Sequence, residues 1–196
     1  MFERAEWQCL QIALMQARRN SYESGYTLLE LMTALAILGV LLGIAVPSFQ
    51  AYTRNSAATA AQNDLVTSLH FARSEALLRS RAVSVCASTD SLACSNSTDW
   101  STGWIVFTDG GVAGVVDAAD RVLRVGSTNV ANVVLLSDAR NAAVPASFIR
   151  YAATGLQSPV ARRSFDIYGV DCTGPNRIQF DITPTGLGSV SKIACP

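Results

Sequence analysis

The chain has 196 residues, 49% of them hydrophobic, and its 15 basic side chains balance 15 acidic ones. That length suits one domain plus an anchor and excludes a large multidomain enzyme. The zero formal charge excludes a global electrostatic field that would gather nucleic acid, leaving only local basic patches to consider.

In chain order, the first informative stretch is Ser24-Gly25-Tyr26-Thr27-Leu28-Leu29-Glu30. It opens a run from Leu31 to Val46, LMTALAILGVLLGIAV, that holds no charge. The run approaches the ~20 apolar residues with which a helix spans a bilayer. Glu30 stands at its mouth, where a carboxylate calls for a partner, since a charge at the membrane centre costs roughly 2.5–3.5 kcal/mol on insertion scales. An ordinary secretory signal is cut after its apolar region at a small-residue site. Here the chain continues Pro47-Ser48-Phe49-Gln50 without one, and the plausible cut, at Gly25, precedes the run. Arg18 and Arg19 before the run favour a cytoplasmic N-terminus. Both Met1 and Met15 are compatible starts; the second would leave out Trp7 and Cys9. Gly39 and Gly43 form a small-xxx-small pair that permits close helix packing.

Beyond Pro47 the sequence turns polar but keeps a helical period. Ala58, Ala61, Leu65, Leu69, Ala72 and Ala76 recur at spacings of three and four, while Arg73, Glu75, Arg79 and Arg81 fall mostly outside that face. One helix from about Leu28 to Ser80 follows, half suited to lipid and half to a globular head. Its natural divisions are 1–25, 26–49 and 50–81. Residues 82–196 read as β. Ala82–Cys86 and Ile178–Ile182 alternate, and Trp104–Phe107, Arg121–Val125, Val133–Leu136, Ser147–Tyr151, Phe165–Tyr168 and Val190–Ile193 are further strands. Turns such as Thr108-Asp109-Gly110-Gly111 and Thr183-Pro184-Thr185-Gly186 separate them. The fold class is α+β, an antiparallel sheet packed on the second half of the helix.

Cys9 precedes the apolar run, and Cys86, Cys94, Cys172 and Cys195 follow it. A lone thiol on one side and an even set on the other fits a membrane separating two redox compartments. Four cysteines allow three pairings. Cys86–Cys94 and Cys172–Cys195 are favoured because each closes a short local loop. The alternative is four reduced core cysteines.

Gly25-Tyr26-Thr27-Leu28-Leu29-Glu30 resembles the prepilin peptidase motif of type IV pilins and type II secretion pseudopilins. The resemblance implies that residues 1–25 are a leader cut after Gly25. Tyr26 then becomes the N-methylated first residue, where family members usually carry Phe. Glu30 becomes the fifth residue, pairing with the terminal amine of a neighbouring subunit. In a medium of low dielectric such a pair would favour assembly and fix its register. Pro47 joins Glu30 as an assembly residue in this reading. Asp99-Trp100-Ser101-Thr102-Gly103-Trp104-Ile105-Val106-Phe107-Thr108-Asp109 and Ala72-Arg73-Ser74-Glu75-Ala76 are similar to the GspH/FimT group. Membership implies a single-pass bacterial inner-membrane protein with a periplasmic head, destined for a filament. Its partners would be other pilins or pseudopilins, prepilin peptidase and membrane lipid. Two roles fit: a FimT/FimU-like minor pilin priming type IV pilus assembly, and the H-type minor pseudopilin of type II secretion.

Other chemistry is thinly supported. Asp109, Asp117 and Asp120 lie in a glycine-containing loop, but their spacing is not that of an EF-hand, and solvated turn aspartates are the plainer reading. His70, the only histidine, lies on the helix without a marked nucleophile or orienting acid around it, so no catalytic residues, metal or cofactor are expected. Some FimT-type proteins bind DNA through a C-terminal GRxR. The corresponding place, Gly186-Leu187-Gly188-Ser189, lacks both arginines. Lys192 and the separate pair Arg162-Arg163 are the remaining candidates for DNA contact, and the plainer reading of that pair is a solvated loop.

Overall fold

The computed structural model describes residues 25–127, 133–138, 147–186 and 188–196. Helix α1 runs Leu28–Arg79. Eight strands follow: β1 Val83–Ala87, β2 Trp104–Thr108, β3 Val122–Gly126, β4 Val133–Asp138, β5 Phe148–Tyr151, β6 Arg163–Gly169, β7 Arg177–Ile182 and β8 Gly188–Ile193. The described residues fall into two units dividing between Val46 and Pro47. In the first unit α1 is apolar and exposed, long and apolar enough to cross a membrane. Pro47 is accommodated within α1.

In the second unit the strands make two antiparallel four-stranded sheets, ordered β3-β2-β1-β5 and β4-β6-β7-β8. Each expected strand is present, within two residues at most of its bounds. The β1–β2 connection reaches across to β4 of the other sheet. Trp100 N–H donates to the Leu135 carbonyl at 2.8 Å, and Ser137 N–H donates to the Thr98 carbonyl at 2.8 Å. Trp100, fully buried, then meets Phe165 of β6 edge-on at 5.1 Å. Such a pair adds about 0.5–1.5 kcal/mol beyond its burial.

All six residues of the amphipathic face of α1, Ala58 to Ala76, are buried. They join one core with Val83, Val85, Trp104, Val106, Leu135, Ile149, Phe165, Ile167, Phe180 and Ile182, drawn from both sheets. Four of the six are alanines, whose lone methyl lets the helix backbone lie close to the strands. Leu65 and Leu69 fill the gap that remains.

β1 and β2 depart from simple in-and-out alternation: all of β1, and all of β2 but Thr108, is buried. Their outer face carries a second, smaller cluster of Cys86, Ile105 and Phe107, covered by Cys94, Val116 and Phe148. The Cys86–Cys94 disulfide holds that cover on β1. Asp90 orders the loop between the two cysteines by accepting the N–H groups of Leu92 and Ala93, both at 2.9 Å. These bonds hold its carboxyl below its usual range, Ala93 contributing most. Cys172 is joined to Cys195, tying the chain end after β8 to the loop after β6.

Close packing makes two positions diagnostic. Trp104 lies opposite Gly126 in the β2–β3 register, and a Cβ on Gly126 would fall inside the indole. Gly126→Ala is expected to lower stability by about 1–3 kcal/mol as the ring is displaced. Gly110→Ala, whose Cβ meets Asp120 Oδ1 at 3.7 Å, should be near neutral. Thermal melts of the two variants check this.

Tyr151, 1% exposed at the end of β5, sits where Arg73 of α1 meets the Gly186 turn. Burial pushes its phenol up to about 12, against the opposing pull of Arg73. Because the folded value exceeds the unfolded value of 10.0, its contribution is fully present below pH 10 and is lost as pH rises toward 12. Tyr151→Phe should therefore flatten the alkaline limb of a stability-versus-pH profile between those values.

Candidate functional site

The start of α1 is built locally. Thr27 Oγ1 accepts the Glu30 N–H at 3.2 Å, and the Thr27 carbonyl accepts the Leu31 N–H at 3.1 Å. Thr27 is thus the N-cap and Glu30 stands in the first turn, where the helix dipole favours a carboxylate. Thr27-x-x-Glu30 is the sequence signature of such a cap. The cap lies C-terminal to Gly25-Tyr26, so a cut between those two residues would leave it whole. Tyr26 and Glu30 are both exposed, as are Leu31, Leu35, Leu38, Leu42 and Val46 along the uncharged run. Water does not favour such a surface, and lipid or other apolar helices would.

Where the second unit begins, Arg54 Nη1 reaches Asp171 at 2.9 Å. Gly169 lets the strand end approach closely: a Cβ there would lie 3.0 Å from that of Arg54. The neighbouring Cys172–Cys195 bond holds the Asp171 loop against the chain end. Neither Arg54 nor Asp171 had a sequence signal, because 117 positions separate them.

The three loop aspartates separate into different jobs. Asp109 is fully buried. Its Oδ2 accepts the Ser84 hydroxyl and the Gly114 N–H (2.9 Å) and faces Arg150 Nε at 3.3 Å. Arg150 Nη2 donates to the Asp109 carbonyl at 3.0 Å. Ser84 is polar yet buried in β1, and the sequence held no signal for this hub. Asp117 accepts the Val112 N–H at 2.9 Å, and Asp120 accepts those of Gly110 and Asp117, each at 3.0 Å. Their oxygens shape the loop, and among the described residues no group of three His, Cys, Asp or Glu side chains is placed to hold a metal. His70 is exposed on α1.

The basic candidates are not one patch. Arg162 is exposed, whereas Arg163 opens β6 at 5% exposure, opposite Ile182. Lys192 stands opposite Ile178, four residues along β8 from Gly188, or about 13 Å by strand rise. The expected solvated loop at 162–163 is therefore half strand, because Arg163 continues the β6–β7 pairing. Leu187 lies outside the described residues.

Removing one partner of a buried ion pair strands the other. Asp109→Ala is expected to destabilise the fold by about 3–5 kcal/mol. Asp117→Ala, at a half-buried turn, should cost about 1 kcal/mol. Chemical denaturation of each variant measures the difference.

Comparison with known proteins places this geometry. Residues 20–46 match the Prokaryotic N-terminal methylation motif, and residues 61–186 match the family described as Type II transport protein GspH. A fimbrial protein of Pseudomonas aeruginosa is 38% identical over 61 residues, 31% of this chain and 39% of that protein. A fimbrial protein of Neisseria meningitidis serogroup A / serotype 4A (strain DSM 15465 / Z2491) is 32% identical over 77 residues, 36% of this chain and 45% of that protein. The matches thus span under half the length of these curated relatives. The crystal structure of the type IV minor pilin FimU of Pseudomonas aeruginosa shares the fold, with TM-score 0.53 and 24% identity over 71% of this chain and 92% of that one. With the family match running through well over half its length behind a methylation motif, the chain belongs to the GspH family of minor pilins and pseudopilins.

Proposed function

We propose that this chain is a structural minor pilin that takes part in priming assembly of a type IV pilus. Prepilin peptidase would cut after Gly25, leaving Tyr26 as an N-methylated first residue. The mature helix would wait in the inner membrane with the head in the periplasm, and would then enter the filament with helices bundled inside and heads outside. The observation that carries this reading is the capped, exposed, uncharged length of α1 with Glu30 in its first turn. The terminal amine of Tyr26 and the Glu30 carboxylate would be about one turn apart within a subunit and able to pair between staggered subunits. N-methylation keeps the charge on that amine, so the pairing would survive it. Pro47 would serve the packing of bundled helices. The two disulfides of the head suit an oxidising compartment, as the periplasm would be.

A second reading, the H-type minor pseudopilin of type II secretion, draws its support from the description of the matched family. Both readings make the chain a filament subunit and assign it no catalysis. DNA contact by Arg162, Arg163 and Lys192 is the weakest of the functional readings, since those cations are spread over the head.

The Glu30 pairing and the choice of machine need separate tests. Glu30→Ala is expected to reduce recovery of the processed chain in sheared filaments about tenfold or more, as the loss of a desolvated ion pair implies. Full incorporation of that variant would reject the pairing. In-cell crosslinking through head positions should capture type IV minor pilins. Capture of secretion pseudopilins instead would transfer the chain to the type II machine.

A further inference from the structure

Phe49 and Tyr52 lie outside the face of α1 that the head buries, which begins at Ala58. Phe49 is 66% exposed and Tyr52 is 69% exposed. Three positions apart, they share one face of the helix. Ala51, Arg54 and Asn55 line a small depression together with Val170 and Thr173 of the loop after β6. At about 100° of helix turn per residue, both rings point away from that loop.

Their place along the chain is specific. Between Glu30 and Arg54 the chain carries no charge. A membrane span of ~20 residues counted from Leu31 ends at Gln50, between the two rings. Phe49, wholly apolar, comes first, and Tyr52, whose ring ends in a hydroxyl, comes second. That order matches surroundings that turn from apolar to wet along the helix. Arg54 follows as the first charge, held by Asp171 at 2.9 Å. An ion pair of this kind belongs in water or among headgroups, because taking both charges into hydrocarbon is costly.

We propose that Phe49 and Tyr52 anchor α1 in the interfacial layer of a lipid bilayer, on the head's side of the membrane. The Phe49 ring lies at the edge of the hydrocarbon, and the Tyr52 hydroxyl reaches the hydrated headgroups. Amphipathic rings favour that layer because one end is apolar and the other wet. The anchor opposes sliding in both directions. Movement inward takes the Tyr52 hydroxyl and the Arg54–Asp171 pair toward hydrocarbon, and movement outward puts the Phe49 ring in water. A helix of another chain fits this face less well, since close packing of membrane helices uses small residues, as Gly39 and Gly43 offer further back. The anchor presupposes the membrane-spanning reading of α1 given above and fixes where that span ends.

The test places the full chain in vesicles of phosphatidylethanolamine and phosphatidylglycerol, with a nitroxide on one introduced cysteine at a time. Cys9→Ser removes the thiol outside the two disulfides. Leu38→Cys, Gln50→Cys and Ala60→Cys, all at exposed positions, carry the label. Collision with oxygen reports lipid, and collision with an aqueous nickel chelate reports water. The label at 38 is expected to read as hydrocarbon, that at 60 as water, and that at 50 as the layer between. Phe49→Ala together with Tyr52→Ala should shift the label at 50 to the reading found at 60, with circular dichroism checking that the head stays folded. A label at 50 that reads as water in the intact chain, or that stays put when both rings are removed, overturns the anchor while 38 still reads as hydrocarbon. Shielding of 50 from both reagents also overturns it, since the face would then be packed on another chain. A label at 38 that reads as water rejects the membrane-spanning reading itself, so the two failures are told apart.

Discussion

The head depends on one contact, the alanine-rich face of α1 against two sheets at once. Ala58, Ala61, Ala72 and Ala76 present only methyl groups, so the strands reach the helix closely. Leu65 and Leu69 supply the volume that sheets and helix share. Neither sheet could bury its inner face without that surface, because a four-stranded sheet has one hydrophobic side to hide. The cost of error there is high, since truncating a buried leucine to alanine loses about 2–5 kcal/mol.

The second layer of support is polar and covalent. It lies at the outer face of the first sheet and at the chain end. Asp109 with Arg150 and Ser84 anchors one loop, and the Cys86–Cys94 bond anchors another. Arg54 of α1 with Asp171, beside Cys172–Cys195, fastens the loop after β6 and the terminus. Small heads with modest apolar cores commonly add disulfides of this kind, each worth about 2–4 kcal/mol through constraint of the unfolded chain. The cover over Phe107 and Ile105 explains why β1 and β2 are buried on both faces.

Membership of the minor pilin and pseudopilin family gives the two ends of α1 different demands. The uncharged end has exposed apolar residues all round, as a segment needs when its partners are lipid or other helices. The other end is amphipathic because its partner is its own head. Pro47 stands at the change, where the chain divides into its two units.

Much of this was legible in the sequence because it rests on period and local chemistry. The spacing from Ala58 to Ala76 marks a helix face, and all six residues are buried. The runs bounded by Gly, Pro and Asp turns became the eight strands. The apolar run, Gly25 and Glu30 identify the kind of N-terminus without reference to any contact. Residues far apart in sequence left no such trace. Nothing in the alternation of β1 revealed that Ser84 would meet Asp109. No short motif announced Arg54 beside Asp171. The pair Arg162-Arg163 read as one basic loop, yet pairing with β7 drew Arg163 inward and left its neighbour in water. Four cysteines permitted three pairings, and the fold brings the Cα atoms of each bonded pair to 5.6 and 5.7 Å. The sequence alone determined what repeats along one element, because side-chain direction follows from helix and strand geometry. Only the tertiary structure decided which elements meet, because that depends on the shape left after every face competes for burial.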